Sequence, residues 1–406
     1  FRTLQSWKPE GTLVAHLAEH KASITRICLA PDHSFFASCS DDGSVKIWDC
    51  ARLERNVTNR SRLTYQKQGG RIKCMTFIEN THSIASASDN GSIHIFRVEF
   101  KPVSTIPKYD NGNLTAESHS MLLVATTGSN IYAIDIRTMS IAWQMKNKSS
   151  FGVITAMVAD RRHTWLLIGT SRGILTLFDL RFHLPLRTWV HPSKSRISRL
   201  VLHPSPVGRG RWVLISTGRN EVSVWDVERL ECSEIYAVRS NDSRAFVHAL
   251  QQYKATDPPT DNEILQAAFT ATETNLSDSS IRAIMCPADC HYLITAGTDR
   301  KIRYWDYQNV ENSSVVLGQE PEDPKQRYVF HKGESIVARI ETTAVTTTSK
   351  RSSSRSGSSA AAGNTLIQQR MLLHNHLDAI NDLQITEVPY PMLISGDRDG
   401  VIKVLT

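Results

Sequence analysis

Cysteine and histidine are the residues of this sequence most able to bind a metal ion or act as nucleophiles. Seven cysteines are spread along the chain, mostly within apolar stretches. Their odd number argues against a set of disulfides and indicates buried thiols in a reducing compartment. Cys286 and Cys290 have a CxxxC spacing, but the neighbouring sequence supplies neither a second Cys pair nor a His cluster to complete a zinc site. No metal site is therefore predicted.

The sequence contains none of the motifs that mark common catalytic sites. A phosphate-binding GxxxxGK[ST] loop, a GxSxG nucleophile turn and a dinucleotide-binding glycine fingerprint are all missing. His, Asp and Glu also do not cluster at the spacings of a metal-dependent active site. We therefore predict that the chain is not an enzyme and needs no cofactor.

Length and charge exclude further classes. The chain has 406 residues, with 47 Lys and Arg against 40 Asp and Glu, and a formal charge of +7 spread along its length. That mild excess does not indicate a nucleic-acid partner. The longest apolar runs, such as 121–125 and 165–168, are far shorter than the about 20 residues of a membrane span. Because the sequence starts at Phe1 rather than Met, we expect a piece of a longer protein.

An internal repeat organises the chain. In its first copy, β-type runs at 24–29, 35–40 and 44–48 are separated by a Pro-Asp-His-Ser turn and by Asp41-Asp42-Gly43, a strong hairpin signal. Six similar units follow, which makes repeat architecture the first hypothesis for the fold. Each unit ends in a hydrophobic strand that carries, in order, Trp48, Phe96, Ile134, Phe178, Trp225, Trp305 or Leu405.

These units resemble WD repeats, and the WD dipeptide stands at 48–49, 225–226 and 305–306. The resemblance implies an all-β fold, a seven-bladed WD-repeat β-propeller with one four-stranded blade per repeat. The stretch 11–17 fits an outer strand that completes the last blade and closes the ring, which removes open sheet edges. Residues 1–406 would then form a single domain.

The resemblance also assigns a structural role to several polar residues. In WD repeats an Asp in a tight turn bonds a His, which contacts a Ser or Thr and the Trp. The matching positions are His20, Ser38, Asp42 and Trp48 in blade one, Thr295, Asp299 and Trp305 in blade six, and His376, Ser395 and Asp399 in blade seven. In the other blades the Asp position holds Asn90, Gly128, Arg172 or Arg219, so the network is expected to be broken there. A His–Asp pair of this kind stabilises the fold by about 0.5–1.5 kcal/mol per bond and is not a catalytic dyad.

Two segments lie outside the repeat. Residues 237–278 are polar, with a weak helical pattern at 264–269, and residues 317–366 include a Ser-rich basic tract at 346–359. The tract has little to bury, so we expect the insertion 317–366 to be disordered. It would be either a tolerated surface insertion or a tether that is phosphorylated or attracts anions.

Several longer stretches point to a narrower family. They include WLLIGTSRGILTLFDLRFHLPL at 165–186, HPSKSRISRLVLHP at 191–204 and LITAGTDRKIRYWD at 293–306, in that order. Together they resemble the C-terminal WD-repeat domain of the large regulatory subunit of class III phosphatidylinositol 3-kinase, a pseudokinase of vacuolar protein sorting. The resemblance implies a non-catalytic scaffold in autophagy and endosomal sorting. It also implies a cytoplasmic location, peripheral on endosomal and autophagosomal membranes through the full complex.

The partners that the resemblance implies are the lipid kinase catalytic subunit, a Beclin-type coiled-coil subunit and an autophagy- or endosome-specific coiled-coil subunit. Aromatic residues and arginines are enriched at interface hot spots. The candidates for a partner-binding rim in blades four and five are Arg161, Arg162, Arg172, Trp189, Arg196 and Arg199. The alternative is that they are solvated loop residues.

Two other functions are open for a propeller. Receptors of cullin ubiquitin ligases carry a WD-x-R motif, which 134–137 (IDIR) and 178–181 (FDLR) approximate, although Asp and Arg at these positions can simply end a strand. Phosphoinositide-binding propellers carry a Phe-Arg-Arg-Gly motif. The nearest stretch here, 160–163, reads DRRH and lacks the Gly.

Overall fold

The regular secondary structure that the computed structural model describes is almost entirely β-strand. The structure describes residues 7–54, 59–78, 81–99, 121–205, 210–239, 262, 280–288, 290–320, 323, 326–333, 336–343 and 374–406. Short 3₁₀ helices lie at Cys50–Arg52, Ser149–Phe151 and Val310–Asn312. The strands are β1 Leu13–Leu17, β2 Ile24–Leu29, β3 Phe35–Ser40, β4 Val45–Asp49, β5 Leu63–Tyr65, β6 Ile72–Phe77, β7 Ser83–Ser88, β8 Ile93–Arg97, β9 Met121–Ala125, β10 Asn130–Asp135, β11 Ser140–Lys146, β12 Ile154–Ala159, β13 Trp165–Thr170, β14 Ile174–Asp179, β15 Leu184–Val190, β16 Ile197–Leu202, β17 Trp212–Thr217, β18 Glu221–Asp226, β19 Glu231–Arg239, β20 Ile281–Met285, β21 Tyr292–Gly297, β22 Ile302–Asp306, β23 Ser314–Leu317, β24 Gln326–Lys332, β25 Val337–Thr343, β26 Ile380–Thr386, β27 Met392–Asp397 and β28 Ile402–Leu405.

The strands form seven blades, each a sheet whose own strands pair antiparallel. Blade one contains β2–β5, blade two β6–β8, blade three β9–β11, blade four β12–β15, blade five β16–β19, blade six β20–β23, and blade seven β26–β28 with β1. Outside blade three, the first described strand of each blade contacts the first strand of a neighbouring blade, as β2 does with β26 and β6. The prediction of a seven-bladed propeller is confirmed.

The repeat pattern explains each blade. In blade one the second strand, β3, is apolar or small throughout and all six of its residues are buried. The turn to β4 places Gly43 at a φ of 80°, a left-handed conformation that favours glycine. The hairpin signal at 41–43 therefore sets both the turn and the register, with Phe36 opposite Trp48.

The first and last strands of the described chain close the ring. Strand β1 pairs antiparallel with β28, with Leu13 opposite Leu405 and Leu17 opposite Ile402. Blade seven thus takes its outer strand from the beginning of the chain and its other three strands from the end. This is the closure that the stretch 11–17 predicts.

The hydrophobic core lies between neighbouring blades. Between blades four and five, the two indoles of Trp189 and Trp225 lie 6.2 Å apart and pack with Leu167 and Ile197. All four side chains are buried. Burying a large apolar side chain contributes about 1.5–3 kcal/mol, so these contacts fix the angle between blades.

The structure corrects the description of the two insertions. Within 317–366, where disorder is predicted, β24 and β25 form a hairpin, and β25 pairs parallel with β19 to extend blade five to six strands. The disorder prediction is therefore wrong for these two strands. The Ser-rich tract at 346–359 lies outside the described residues. The boundary at 237 is also early, because β19 continues to Arg239, and the helical pattern at 264–269 lies outside the described residues.

Candidate functional site

Blade one contains the complete four-residue network. The Nδ1 of His20 lies 2.9 Å from an oxygen of Asp42, and its Nε2 lies 2.7 Å from the hydroxyl of Ser38. The indole N–H of Trp48 donates to the same hydroxyl at 2.8 Å. Burial raises the pKa of the Asp42 carboxyl, but the hydrogen bonds that it accepts, the strongest from His20, outweigh this effect and lower the pKa. The network ties the loop before β2 to the β3–β4 turn.

Blade seven uses a different carboxylate from the predicted one. His376 places Nε2 2.7 Å from the Ser395 hydroxyl and Nδ1 2.7 Å from Asp397 rather than Asp399. Asp399 is exposed in the β27–β28 turn. Asp397 is the last residue of β27 and also accepts a hydrogen bond from the backbone N–H of Val401 at 2.8 Å. The prediction of Asp399 is therefore corrected to Asp397.

Blade six keeps only part of the network. The indole of Trp305 donates to the Thr295 hydroxyl at 2.9 Å. Asp299 instead forms an ion pair with Arg303 at 2.6 Å. In blade six Arg303 therefore binds the turn Asp, which a His binds in blade one.

Two further networks are missing from the sequence prediction. In blade five, His191 lies 2.9 Å from the hydroxyl of Ser223, which also accepts from the indole of Trp225 at 2.9 Å. In blade two, Gln68 takes the place of the His and accepts from the Ser86 hydroxyl at 2.6 Å. The blade-five Ser lies on the third strand and the blade-two partner is an amide, so neither fits the His–Ser–Asp spacing of blade one.

These networks are structural. The imidazoles of His20, His191 and His376 have 0% side-chain exposure, so no substrate can reach them. Burial lowers the pKa of His191 to about 3 and also lowers that of His376. A neutral, enclosed imidazole positions its neighbours and does not exchange protons with solvent at neutral pH.

The candidate rim residues do not form one surface. Trp189 is fully buried between blades four and five, which corrects its assignment to the rim. Arg161 and Arg162 are exposed in the β12–β13 turn. Arg172 follows β13 in the next turn, at the opposite end of the strands, and donates to the carbonyl of Ser150 at 2.5 Å. Arg196 is exposed beside β16.

Arg199 instead belongs to a charged cluster in the centre of the ring. It lies on β16 in blade five and donates to Asp382 on β26 in blade seven at 2.6 Å. Because blade six lies between them, the bond crosses the central channel. Asp382 also lies 3.6 Å from Arg26 and accepts from the backbone N–H of Ile27 at 2.9 Å. This cluster links three blades and corrects the assignment of Arg199 to an outer rim.

Exposed apolar side chains lie on the outer strands of blades three and four and in the turns that lead into them. We call this set the outer patch; its members, with their exposed fractions, are Met139 (61%), Ile141 (62%), Phe182 (69%), Leu184 (60%) and Leu186 (51%). The ring of Trp143 on β11 lies 4.6 Å from that of His183 in the β14–β15 turn, which joins the two halves. Exposed apolar patches of this kind mark interaction sites.

The stretch of sequence that carries the outer patch has an excess of basic residues. Residues 131–190 contain eight Lys and Arg but three Asp and Glu. Asp135 and Asp179 each accept from the arginine two residues later, Arg137 and Arg181. The Arg181 guanidinium lies 2.8 Å from Asp179 and holds its pKa at about 2. In both WD-x-R-like stretches the arginine therefore folds back onto the Asp that ends its own strand.

Comparison with known proteins identifies the fold family and its relatives. The family model "WD domain, G-beta repeat" matches residues 8–49 and 270–306. The chain is 32% identical to the "Probable serine/threonine-protein kinase vps15" of Dictyostelium discoideum, over 98% of the chain and 26% of that relative. It is 30% identical to the "Serine/threonine-protein kinase VPS15" of Arabidopsis thaliana and 29% to a putative VPS15 kinase of Komagataella pastoris, over 98% of the chain and 28% and 31% of those proteins.

The chain thus spans about a quarter to a third of the length of these relatives, whose names call them kinases. In this chain the matching residues form a propeller. None of the helices in the described part of the chain is long and apolar enough to cross a membrane. The predicted resemblance and the fold agree with both comparisons. The chain therefore belongs to the WD-repeat proteins, and over 98% of its length it is similar to a segment of these Vps15 relatives.

Proposed function

We propose that this propeller is a non-catalytic scaffold of the class III phosphatidylinositol 3-kinase complex in autophagy and endosomal or vacuolar protein sorting. The observation that carries the proposal is the outer patch, an exposed apolar surface on a closed ring related to Vps15, carried by a stretch of sequence with a basic excess. A closed ring binds a partner without ordering itself first, so little conformational entropy is lost on its side.

The partner that fits the outer patch is the Beclin-type coiled-coil subunit. Such a helix presents a stripe of apolar side chains flanked by charges at regular positions. Five exposed apolar side chains offer contacts to the stripe, and the excess of Lys and Arg in 131–190 favours acidic residues beside it. The pathway-specific coiled-coil subunit and the lipid kinase would then be held in place through this contact, and the membrane is reached through the complex.

The test is binding of the coiled-coil subunits to variants of the outer patch. Ile141→Asp and Phe182→Asp each place a charge at a side chain more than 60% exposed, so the fold tolerates them. Each is expected to weaken binding by about 30-fold, the effect of losing one hot-spot contact of about 2 kcal/mol. Leu377→Asp, at a side chain 56% exposed in blade seven, is the matched control.

Unchanged binding by both patch variants, measured by titration calorimetry with the complex reconstituted from purified subunits, would contradict this assignment. Capture of a cullin adaptor in place of the coiled-coil subunits would support the ligase hypothesis. The geometry disfavours that hypothesis, because Arg137 and Arg181 bond the Asp residues of their own strands. Flotation with phosphoinositide vesicles tests the exposed pair Arg161 and Arg162 in the same way.

A further inference from the structure

The fold brings a histidine to the CxxxC pair that has none nearby in sequence. His203 is the first residue after β16, and Cys286 is the first residue after β20. These two strands are the innermost strands of adjacent blades and run in the same direction. Equivalent positions in neighbouring blades therefore place the two side chains together at one end of the ring, although 83 positions separate them in the sequence.

The second cysteine completes a cluster. After Pro287 the chain turns, with Cys290 at a φ of 56° and its N–H donating to the carbonyl of Pro287 at 3.0 Å. This turn carries the Cys290 thiol to within 3.9 Å of the Nδ1 of His203. One ring nitrogen of His203 and the two Sγ atoms all lie within 4.8 Å of one another.

These separations match a tetrahedral metal site. With Zn–S bonds of about 2.3 Å and Zn–N bonds of about 2.0 Å, a tetrahedral ion holds S and N ligands about 3.5 Å apart and two S ligands about 3.8 Å apart. The Cys290 Sγ and His203 Nδ1 atoms, 3.9 Å apart, are about 0.4 Å further apart than in such a site. The other two separations, at most 4.8 Å, exceed the tetrahedral values by no more than about 1.3 Å, a shift that side-chain rotation supplies. Two thiolates would neutralise the charge of a divalent ion, which lowers the cost of holding it in a half-buried site.

The surroundings orient the ligands. The His203 ring lies between Trp212, 5.7 Å away edge to face, and Tyr307, 6.4 Å away and stacked. The backbone N–H of Ser205 donates to Nδ1 at 3.2 Å, so Nδ1 is the unprotonated nitrogen, and a metal bound there would replace this hydrogen bond. The hydroxyl of Tyr307 lies 3.5 Å from the Sγ of Cys286, as a supporting partner of a thiolate ligand does.

We propose that His203, Cys286 and Cys290 bind one Zn²⁺ ion that clamps blade five to blade six. The ligand set of two thiolates and one imidazole favours zinc among the divalent ions of the cell. Three protein ligands leave the fourth position to water. The clamp connects the two blades between which residues 240–279 intervene in the chain, and it is independent of the proposed scaffold role.

The test is metal binding by the 406-residue chain. The chain is purified with a reductant, stripped of metal by a chelator, reloaded with Zn²⁺ or Co²⁺ and freed of excess ions. We expect one Zn²⁺ per chain by elemental analysis, and Co²⁺ substitution is expected to give the absorption of a thiolate-bound tetrahedral ion. Cys290→Ser and His203→Gln are each expected to weaken zinc binding by at least about 100-fold. Losing a residue that only supports a ligand costs at most about that much, and losing a ligand itself should cost more. Cys74→Ser, which alters an exposed thiol in blade two, is the matched control and keeps wild-type binding.

The cobalt spectrum of the wild-type chain decides the proposal even where a variant misfolds, which circular dichroism detects. Absence of the thiolate band would overturn the site. So would equal zinc affinity in Cys290→Ser and the wild type. Mass spectrometry that finds Cys286 and Cys290 joined in a disulfide after rapid alkylation would overturn it as well and assign the pair to redox chemistry instead.

Discussion

His191 is the buried histidine whose protonation is coupled most directly to folding. Its side chain has 0% exposure, and Ser193 and Ser223 bind its two ring nitrogens at 2.8 and 2.9 Å. The nearest carboxylate, Glu221, lies 4.0 Å away and is paired with Arg239 at 2.8 Å. Burial therefore lowers the pKa of His191 to about 3, well below the about 6.5 of an unfolded histidine.

This difference predicts a loss of stability in mild acid. Between pH 6.5 and 3 the unfolded chain binds a proton at His191 and the folded chain does not, so stability falls as the pH falls. From pH 7 to pH 5 the contribution of this residue to the free energy of unfolding is about 2 kcal/mol. Urea unfolding of His191→Asn is expected to show a pH dependence smaller by that amount. His163→Asn, in an exposed turn, is the control that should keep the wild-type dependence, and an unaltered dependence in His191→Asn contradicts the argument.

Residue spacing predicts these networks only where the local backbone repeats. In blade one the spacing of His20, Ser38 and Asp42 is that of the repeat, and the structure brings all three together. In blade seven two carboxylates lie two positions apart, and sequence alone cannot say that the strand residue Asp397, rather than Asp399, meets the histidine. In blade five the hydroxyl comes from the third strand, so His191 has no partner at the expected position.

The β24–β25 hairpin is the element that sequence analysis does not find. The residues of its first strand are exposed or half-buried without a regular alternation, so the strand gives only a weak signal. Its position depends on parallel pairing with β19, about 100 residues earlier in the chain, and such non-local pairing leaves no local pattern. The deciding contacts are ionic: Glu341 on β25 accepts from Arg303 of blade six at 2.7 and 3.1 Å.

Removing this buried carboxylate should release the hairpin. Glu341 is 2% exposed and also accepts from the Tyr328 hydroxyl at 3.0 Å, so Glu341→Ala leaves a buried guanidinium and a hydroxyl without this partner. We expect a loss of about 3 kcal/mol in the free energy of unfolding, the lower end for a broken buried pair, because Arg303 keeps Asp299. Glu311→Ala, at an exposed residue, is the control.

Hydrogen exchange locates the effect of Glu341→Ala. Faster exchange confined to β24, β25 and the strands of blades five and six is expected, because the hairpin contacts both. A loss below about 1 kcal/mol, the size of an exposed pair, would mean that the hairpin is held by strand pairing alone.

At the scale of the whole molecule, the ring can be predicted because each blade is formed by strands and turns that are consecutive in the sequence. Seven hydrophobic residues that end the units, from Trp48 to Leu405, show that there are seven blades, and the stretch 11–17 supplies the outer strand of blade seven. The features that depend on closure were not predictable. The cluster of Arg26, Arg199 and Asp382 joins residues from three blades across the channel, and their separation in sequence carries no periodic signal.

Closure predicts that the first strand is required for a monomeric, stable ring. A chain that begins after Leu17 lacks β1, leaves β28 with an unpaired edge and uncovers the contacts of Leu17 with blade seven. We expect a lower thermal midpoint and concentration-dependent association, since an open strand edge pairs with other chains. Light scattering and calorimetry measure both.

The decisive control is rescue by the missing strand. A peptide of residues 7–18, added in excess, should restore the midpoint because it can pair with β28 as β1 does, and its effect should follow its concentration. A peptide of the same composition in scrambled order should not. If the shortened chain is as stable and monomeric as the whole chain, the strand at the beginning of the sequence covers the last blade without holding the ring together.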